Sequence, residues 1–309
     1  MNDFSRRFFL SLKRCIPPRL FQLFCDCDWF WRLVRRYQRR KVLRHYRDSS
    51  DREIVAILGF LRDHEANTFN TPFTLEYLDR PVDIRTDKAS GLLYVDEPNG
   101  PLFFRRGITP SRAAMSYNCL CMEQDPRSPH AYLPPPFSMP RNGVLLDIGC
   151  AEALFTLRHI HEIQAACLFE CDPAWQEALQ HTFAPYAEKI HIVRKYVSDK
   201  TTGGFITLDD FAAELSSPIG FVKMDIEGME EQALAGASRL IANGRVCHWA
   251  ICTYHHPGAE QAIRDFFHDG YRLETSKGYM LSLNNLGLSA PYLRRGILHA
   301  QRIQSDGLK

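Results

Sequence analysis

A chain of 309 residues, 45% hydrophobic and 24% charged, can bury the core of one or two domains and is too apolar to stay disordered. No apolar run approaches the roughly 20 residues of a membrane span, so no membrane-spanning helix is expected. The net charge of +2 hides a division: 14 Lys/Arg face 5 Asp/Glu through Arg52 and 24 face 31 beyond it, giving +9 and then −7.

Basic and aromatic residues interleave from Asp3 to Arg47: Arg6-Arg7-Phe8-Phe9, Trp29-Phe30-Trp31-Arg32-Leu33-Val34-Arg35-Arg36-Tyr37 and Arg39-Arg40-Lys41. Pro17-Pro18 separates two expected helices. In the second, Phe30, Leu33, Val34 and Tyr37 recur at helical spacing. That stripe reads as a face packed on a core or as peripheral attachment to an anionic membrane. Nucleic-acid binding is the weakest reading, since basic and aromatic composition alone is unspecific. Ile54, Val55, Ile57, Leu58 and Leu61 predict a further helix from Asp51 to Asp63. Residues 1–65 thus read as a basic helical segment.

The ten cysteines do not form a metal framework, because the Cys25/Cys27 and Cys119/Cys121 pairs skip one residue where zinc sites skip two to four. Reduced thiols and a cytoplasmic location, with membrane association as a variant, are the default.

Residues 66–140 read as a β-rich lead-in and a proline-rich connector. Val82–Ile84, Leu92–Val95 and Pro101–Phe104 are short strand candidates around Gly91 and Asn99-Gly100. Residues 141–309 then alternate strands and helices. Strands are expected at 144–147, 166–170, 190–193, 221–225, 246–253, 271–275 and 296–300. The helices between them are expected at 153–163, 173–183, 208–215, 229–242 and 259–268. Such βα units require a doubly wound, mostly parallel α/β sheet of seven strands with right-handed crossovers.

The first strand ends in Asp147-Ile-Gly149-Cys-Ala151-Glu152-Ala153, a tight turn into a helix. A dinucleotide fingerprint needs two further glycines here, and Glu152 would oppose a pyrophosphate. Asp147 suits a ligand ammonium, and Gly149 and Ala151 make the turn that would carry the ligand. Glu170, about 20 residues on, suits ribose hydroxyls, and Ser198-Asp199 after the third strand suits an adenine. Asp147 as a helix cap and Glu170 as a solvated strand end remain alternatives. In Lys223-Met-Asp225-Ile-Glu227-Gly228-Met-Glu230-Glu231, alternation puts Lys223, Asp225 and Glu227 on one side if the strand extends that far. Asp225 and Glu227 could hold a divalent cation, bind an acceptor or act as a base. Glu230 and Glu231 read as first-turn acids favouring the helix dipole.

Asp147-Ile-Gly149, Phe169-Glu170, Thr207-Leu-Asp-Asp210 and above all Lys223-Met-Asp-Ile-Glu-Gly-Met-Glu230 resemble the FkbM family of S-adenosylmethionine-dependent methyltransferases. The likeness runs from Val144 to about Ala300. Ile251-Cys-Thr-Tyr254-His255-His256-Pro257 and Glu123-Gln124 with Ser128-Pro-His130-Ala-Tyr132 resemble a subgroup of it. The departure is Ala151-Glu152-Ala153, where many members carry Asn-x-Gly.

The resemblance implies a class I Rossmann-like methyltransferase that uses S-adenosylmethionine to O-methylate a hydroxyl of a sugar, glycan or secondary metabolite. His255 is the expected base, at the rim after the fifth strand, with Asp225 and Glu227 as its catalytic partners. A structural, hydrogen-bonded His255 is the competing reading, and for His256 the structural one is preferred. His130 and Tyr132 read as a cofactor cover or as a packed connector. No resident metal is expected unless Asp225 and Glu227 hold one. The alternatives are a nucleic-acid methyltransferase docked through its basic segment, an NAD-dependent oxidoreductase, disfavoured by the missing glycines, and a non-catalytic protein that keeps the fold.

Overall fold

The computed structural model describes residues 28–281 and 290–303. The expected helix before Pro17 and the Arg6–Phe9 cluster lie outside them. The described chain divides into two compact units, one reaching to Thr74 and including Gly278–Arg294, the other Leu75–Lys277 with the stretch from Arg295.

The first unit holds α1 (Asp28–His45) and α2 (Arg52–Asp63), with the paired strands β12 (Met280–Leu281) and β13 (Leu293–Arg294). Asp51 caps α2 by accepting from the N–H groups of Glu53 and Ile54 at 2.8 and 3.2 Å. Ile54, Ile57, Leu58 and Leu61 bury their periodic face with Val42 of α1, Leu281 and Leu293. The stripe expected on α1 turns inward only in part. Val34 and Val42 are buried, whereas Leu33 and Tyr37 are 54% and 41% exposed. The inward row is Val34, Gln38 and Val42, spaced every fourth residue.

The second unit opens with an antiparallel sheet of β1 (Arg85–Thr86), β2 (Leu93–Glu97) and β3 (Gly100–Phe103). The strand expected at Val82–Ile84 is instead a tight turn, in which Ile84 N–H donates to Val82 C=O at 3.1 Å. A helix unforeseen in the sequence follows, α3 (Pro110–Glu123), with Thr109 as N-cap and proline in its first turn.

The main sheet comprises β4 (Val144–Ile148), β5 (Ala165–Phe169), β6 (Ile190–Val193), β9 (Ile219–Met224), β10 (Val246–Cys252), β11 (Tyr271–Thr275) and β14 (Ile297–Arg302). Their order is β11-β14-β10-β9-β4-β5-β6, parallel except for β14, which runs antiparallel to β10 and β11. This is the class I Rossmann-like methyltransferase fold. The small parallel pair β7 (Tyr196–Val197) and β8 (Phe205–Ile206) lies between β6 and β9 in the chain.

Period-two alternation supplies both cores. Val144, Leu146, Ile148, Val222 and Met224 face α6 (Leu208–Ala213), α7 (Glu230–Ala235), α8 (Ser238–Ala242) and α9 (Ala259–Arg264). Leu145, Phe221, Ala250 and Cys252 face α3, α4 (Leu154–Arg158) and α5 (Pro173–Thr182). Three helices differ from expectation. α4 stops at Arg158, because the chain must turn back to deliver Ala165 to β5, and Gln164 N–H already bonds Gly143 C=O at 3.1 Å. The helix expected at 229–242 breaks in two at Gly236-Ala237. There Asp209 accepts from the N–H groups of Arg239 and Leu240 at 2.9 and 2.8 Å and so caps α8 separately. α9 ends early, at Arg264.

In the main sheet the chain leaves β4 toward β5 on one side and β9 lies on the other, so the strand order reverses beside β4. In open α/β sheets that reversal opens a crevice at the carboxyl ends of the strands. Asp147, Gly149 and Asp225 stand there.

Candidate active site

The turn after β4 is built from left-handed backbone, with φ of 73° at Gly149, 45° at Ala151 and 56° at Ala153. Gly149 is required for space as well. A Cβ there would stand 1.9 Å from the carbonyl oxygen of Asp225. The N–H groups of Gly149 and Cys150 both donate to Phe169 C=O, at 3.0 and 3.2 Å. Glu170 then ties the turn to β5: its Oε2 accepts from Ala151 N–H at 3.1 Å and its Oε1 from Asp172 N–H at 2.8 Å. Gly149, Ala151 and Glu170 therefore form one bonded group.

Asp147 is fully buried. Its Oδ2 accepts from the Thr156 hydroxyl at 2.7 Å, and its Oδ1 lies 3.0 Å from Lys223 Nζ. The same ammonium donates to Gly149 C=O at 2.5 Å and lies 5.4 Å from the centre of the Tyr132 ring. Burial opposes the charge on Lys223, but Asp147 and Asp225 outweigh it, and its pKa is raised. Asp147 is thus placed against a lysine inside the fold. Ser198 and Asp199 follow β7, outside the main sheet. Ser198 gives its N–H to Ile206 C=O at 3.0 Å and its hydroxyl to Asp199 at 3.0 Å.

The second group surrounds Asp225. β9 ends at Met224, so Asp225 and Glu227 lie on the turn beyond the strand, and Asp225 N–H bonds Ile148 C=O at 3.0 Å. Tyr132 and Tyr254 donate their hydroxyls to the two Asp225 oxygens at 3.0 and 3.3 Å. His130 Nε2 lies 3.5 Å and His255 Nε2 3.4 Å from the same carboxylate. Burial works against the Asp225 charge, but His130, Lys223 and His255 outweigh it and hold its pKa below the usual carboxylate range. Burial and the Asp225 charge together raise Tyr132 and Tyr254, which stay protonated donors.

The sequence left Glu230 as a helix-dipole acid, whereas the structure makes it a neighbour of His255. It is buried; its Oε1 accepts from Ile226 N–H at 3.0 Å and lies 3.0 Å from His255 Nδ1. Glu227, at a left-handed φ of 57°, keeps its side chain 87% exposed and 3.7 Å from His255 Nε2. His256 turns outward to Glu231 at 3.0 Å.

The opposite wall comes from α3, whose Ser116 and Glu123, seven residues apart, lie on one face. Ser116 donates to Glu152 at 2.9 Å, which removes Glu152 from the path expected for a ligand phosphate. Glu152 is buried and its pKa is raised by that burial. Glu123 is pushed up to about 7 by burial, with Asp225 and Glu152 adding to it. Thr109 as N-cap with Pro110 in the first turn was the signal that could have placed this wall.

Among the described residues, two groups of three offer metal-ligand atoms within 4.8 Å of one another: Asp225, Glu230 and His255, and His130, Asp225 and Cys252. The expected pair Asp225 and Glu227 is not one of these groups.

Residues 187–280 match the model of the methyltransferase FkbM domain, so the resemblance read from Lys223–Glu230 is borne out. No curated protein matches the chain. Among solved structures, the chain is similar to the methyltransferase FkbM from Methylobacillus flagellatus. The identity is 20% and the TM-score 0.41, over 60% of this chain and 52% of that one, so the chain spans about half of that relative's length. It is also similar to a methyltransferase from Streptococcus mutans in complex with SAH, at 10% identity and a TM-score of 0.36, over 53% of this chain and 91% of that one. A third is an rRNA methylase from Streptococcus thermophilus, at 10% identity and a TM-score of 0.35, over 54% and 90%.

Proposed function

We propose that this chain, which carries an FkbM-type methyltransferase domain, methylates a hydroxyl oxygen of a sugar, glycan or secondary metabolite with S-adenosylmethionine. The observation that carries the reading is the setting of Asp225, with two tyrosine hydroxyls at 3.0 and 3.3 Å and two imidazoles at 3.5 and 3.4 Å. Such a cluster suits an acceptor rich in hydroxyls and includes a group that can take a proton.

When bound, S-adenosylmethionine supplies an electrophilic methyl group on a sulfonium. The residues fit such a cation. Glu170, Asp225 and Glu227 make the carboxyl ends of β5 and β9 acidic, which favours a positive ligand over a pyrophosphate. Gly149 and Ala151 bring the backbone close, and the Glu170 lone pairs left by Ala151 and Asp172 can accept ribose hydroxyls. Ser198 and Asp199 remain the candidates for the adenine edge. Asp147 acts through Lys223, holding the ammonium that fixes the Gly149 carbonyl.

Methyl transfer is an in-line displacement, so this chain's work is alignment of the acceptor and removal of its proton. His255 takes the proton at Nε2. Asp225 orients the acceptor hydroxyl and steadies the imidazolium that results, and Glu227 contributes from the exposed lip. A divalent cation would be held by Asp225 with Glu230 and His255 rather than with Glu227.

Calorimetric titration of the full chain with S-adenosylmethionine and S-adenosylhomocysteine should give binding in the micromolar range. Labelled methyl groups should then appear as ethers on a panel of sugars, glycans and hydroxylated metabolites. Absence of cofactor binding by the folded chain, or transfer to RNA alone, rejects the proposal.

A further inference from the structure

The arginines of α1 fall into two sets. Arg35 reaches Glu65 at 3.4 Å, and Arg39 donates to the carbonyls of Leu61 and Arg62 at the end of α2. These two are engaged in contacts within the unit. Arg32, Arg36, Arg40 and Arg44 recur at every fourth position and are all exposed. They form one row along the outer face, about 18 Å long at 1.5 Å per residue. Leu33 and Tyr37, 54% and 41% exposed, lie beside that row.

This arrangement is costly for a helix that had only to pack. Like charges four residues apart repel, and α1 has no acidic residue after Asp28 with which to relieve them. The inward row Val34, Gln38 and Val42 already supplies the packing face. The outer row serves something else.

We infer that the outer face of α1 docks onto an anionic lipid surface, with Arg32, Arg36, Arg40 and Arg44 on headgroup phosphates and Leu33 and Tyr37 at the acyl boundary. Guanidinium groups bind phosphate oxygens in pairs, and clusters of four or more on one helix face recognise acidic lipids. The charge division agrees with this choice of surface. An anionic surface attracts the segment of +9 (14 minus 5) and repels the remainder of −7 (24 minus 31). Exposed leucine and tyrosine beside the arginines favour a lipid boundary over a nucleic-acid backbone, which offers phosphate and sugar but no apolar layer. Because the buried row of α1 is used internally, attachment is chiefly electrostatic and reversible.

The test is co-sedimentation of the full chain with vesicles of phosphatidylcholine alone and of phosphatidylcholine mixed with phosphatidylserine. Binding to the mixed vesicles only, falling as salt rises, is expected. Each single Arg→Gln change at 32, 36, 40 or 44 should lower partitioning about five-fold. Replacing all four by lysine should retain most of it, which separates lost charge from lost fold. Arg35→Gln, whose side chain is engaged with Glu65, should have a smaller effect. Wild-type partitioning by the fourfold glutamine variant, or binding to RNA or duplex DNA without binding to the mixed vesicles, overturns the inference.

Discussion

Lys223 Nζ stands 3.0 Å from Asp147 Oδ1, with both side chains withdrawn from water, and the pair joins neighbouring strands β4 and β9 at the point where the sheet opens. Two charges in such a place are tolerable only together. Removing one leaves the other buried and unpaired, at a cost of about 3–5 kcal/mol. Asp147→Ala and Lys223→Met should each lower the urea midpoint strongly. The double variant Asp147→Leu/Lys223→Met should recover much of that loss, since no lone charge remains. Cofactor binding should not return with stability in the double variant, because the ammonium that fixes Gly149 C=O is gone.

The Glu230–His255 contact gives a second expectation. Burial works against the charged imidazole, but Glu230, Asp225 and Glu227 outweigh it, and the His255 pKa is raised. A raised histidine stabilises the fold below its ordinary pKa of roughly 6.5, and that contribution is lost as pH rises through the folded value. Glu230→Gln removes the first of these charges. Titration of the His255 ring by NMR should then show a lower pKa, and turnover should shift its pH dependence in the same direction. Affinity for S-adenosylhomocysteine should change little, as Glu230 bonds to the Asp225 turn and not to the Gly149 turn. An unmoved ring titration would mean that the 3.0 Å contact does not set the protonation of His255.

Gly149 is the position at which a single methyl group does most harm. Its φ is 73°, and the added Cβ of Gly149→Ala would lie 1.9 Å from Asp225 C=O. The left-handed backbone alone costs about 1–2 kcal/mol for alanine, and the collision must push β4 and β9 apart. Gly149→Ala should therefore lose several kcal/mol in denaturant unfolding and lose cofactor binding. Gly228→Ala, with His255 Cβ 3.6 Å away, has ordinary contact space and should show only the backbone strain.

Much of this site was legible in the sequence because its parts are local. The runs ending at Asp147, Glu170 and Asp225 announce strands, each within one residue of the observed end, and residues there fall at the carboxyl ends by necessity once the sheet is parallel. What stayed hidden depends on contacts distant in the chain. Nothing near Lys223 shows that it is spent on Asp147, 76 positions earlier by subtraction of their numbers. Tyr132 and Asp225 meet through a connector whose prolines carry no period. Helix α3 escaped notice because its residues, Pro-Ser-Arg-Ala-Ala-Met-Ser-Tyr-Asn-Cys-Leu-Cys-Met-Glu, give a weak apolar stripe. Glu230 is the first-turn acid the sequence announces, and its second role stayed hidden because the helix dipole is a sufficient local explanation; only the fold brings His255 to it.

The buried pair His248 and His299 provides a test of acid stability. The two rings meet at 3.2 Å, at 2% and 1% exposure, with Phe137 stacked 4.4 Å from His299 and Phe221 4.8 Å from His248. Burial pushes His248 down to about 3, with the charge of His299 adding to it, and burial pushes His299 down to about 4. The unfolded chain takes up these protons near pH 6.5, while the native state refuses them until far lower pH. Stability from the pair is therefore complete above about pH 6.5 and falls as pH drops from there toward 4 and then 3. At about pH 5 each histidine should cost about 2 kcal/mol relative to neutral pH. Glu123, raised to about 7, acts oppositely, since its native carboxyl holds a proton that the unfolded chain gives up. A wild-type slope alone would thus mix the two. The informative comparison is urea unfolding of wild type and His248→Gln/His299→Gln at matched pH values. The double variant should be less stable near neutral pH, where the stacked rings are lost, and should close on or overtake wild type as pH falls toward 5. Parallel curves for the two proteins across that range would show that the pair does not titrate on unfolding.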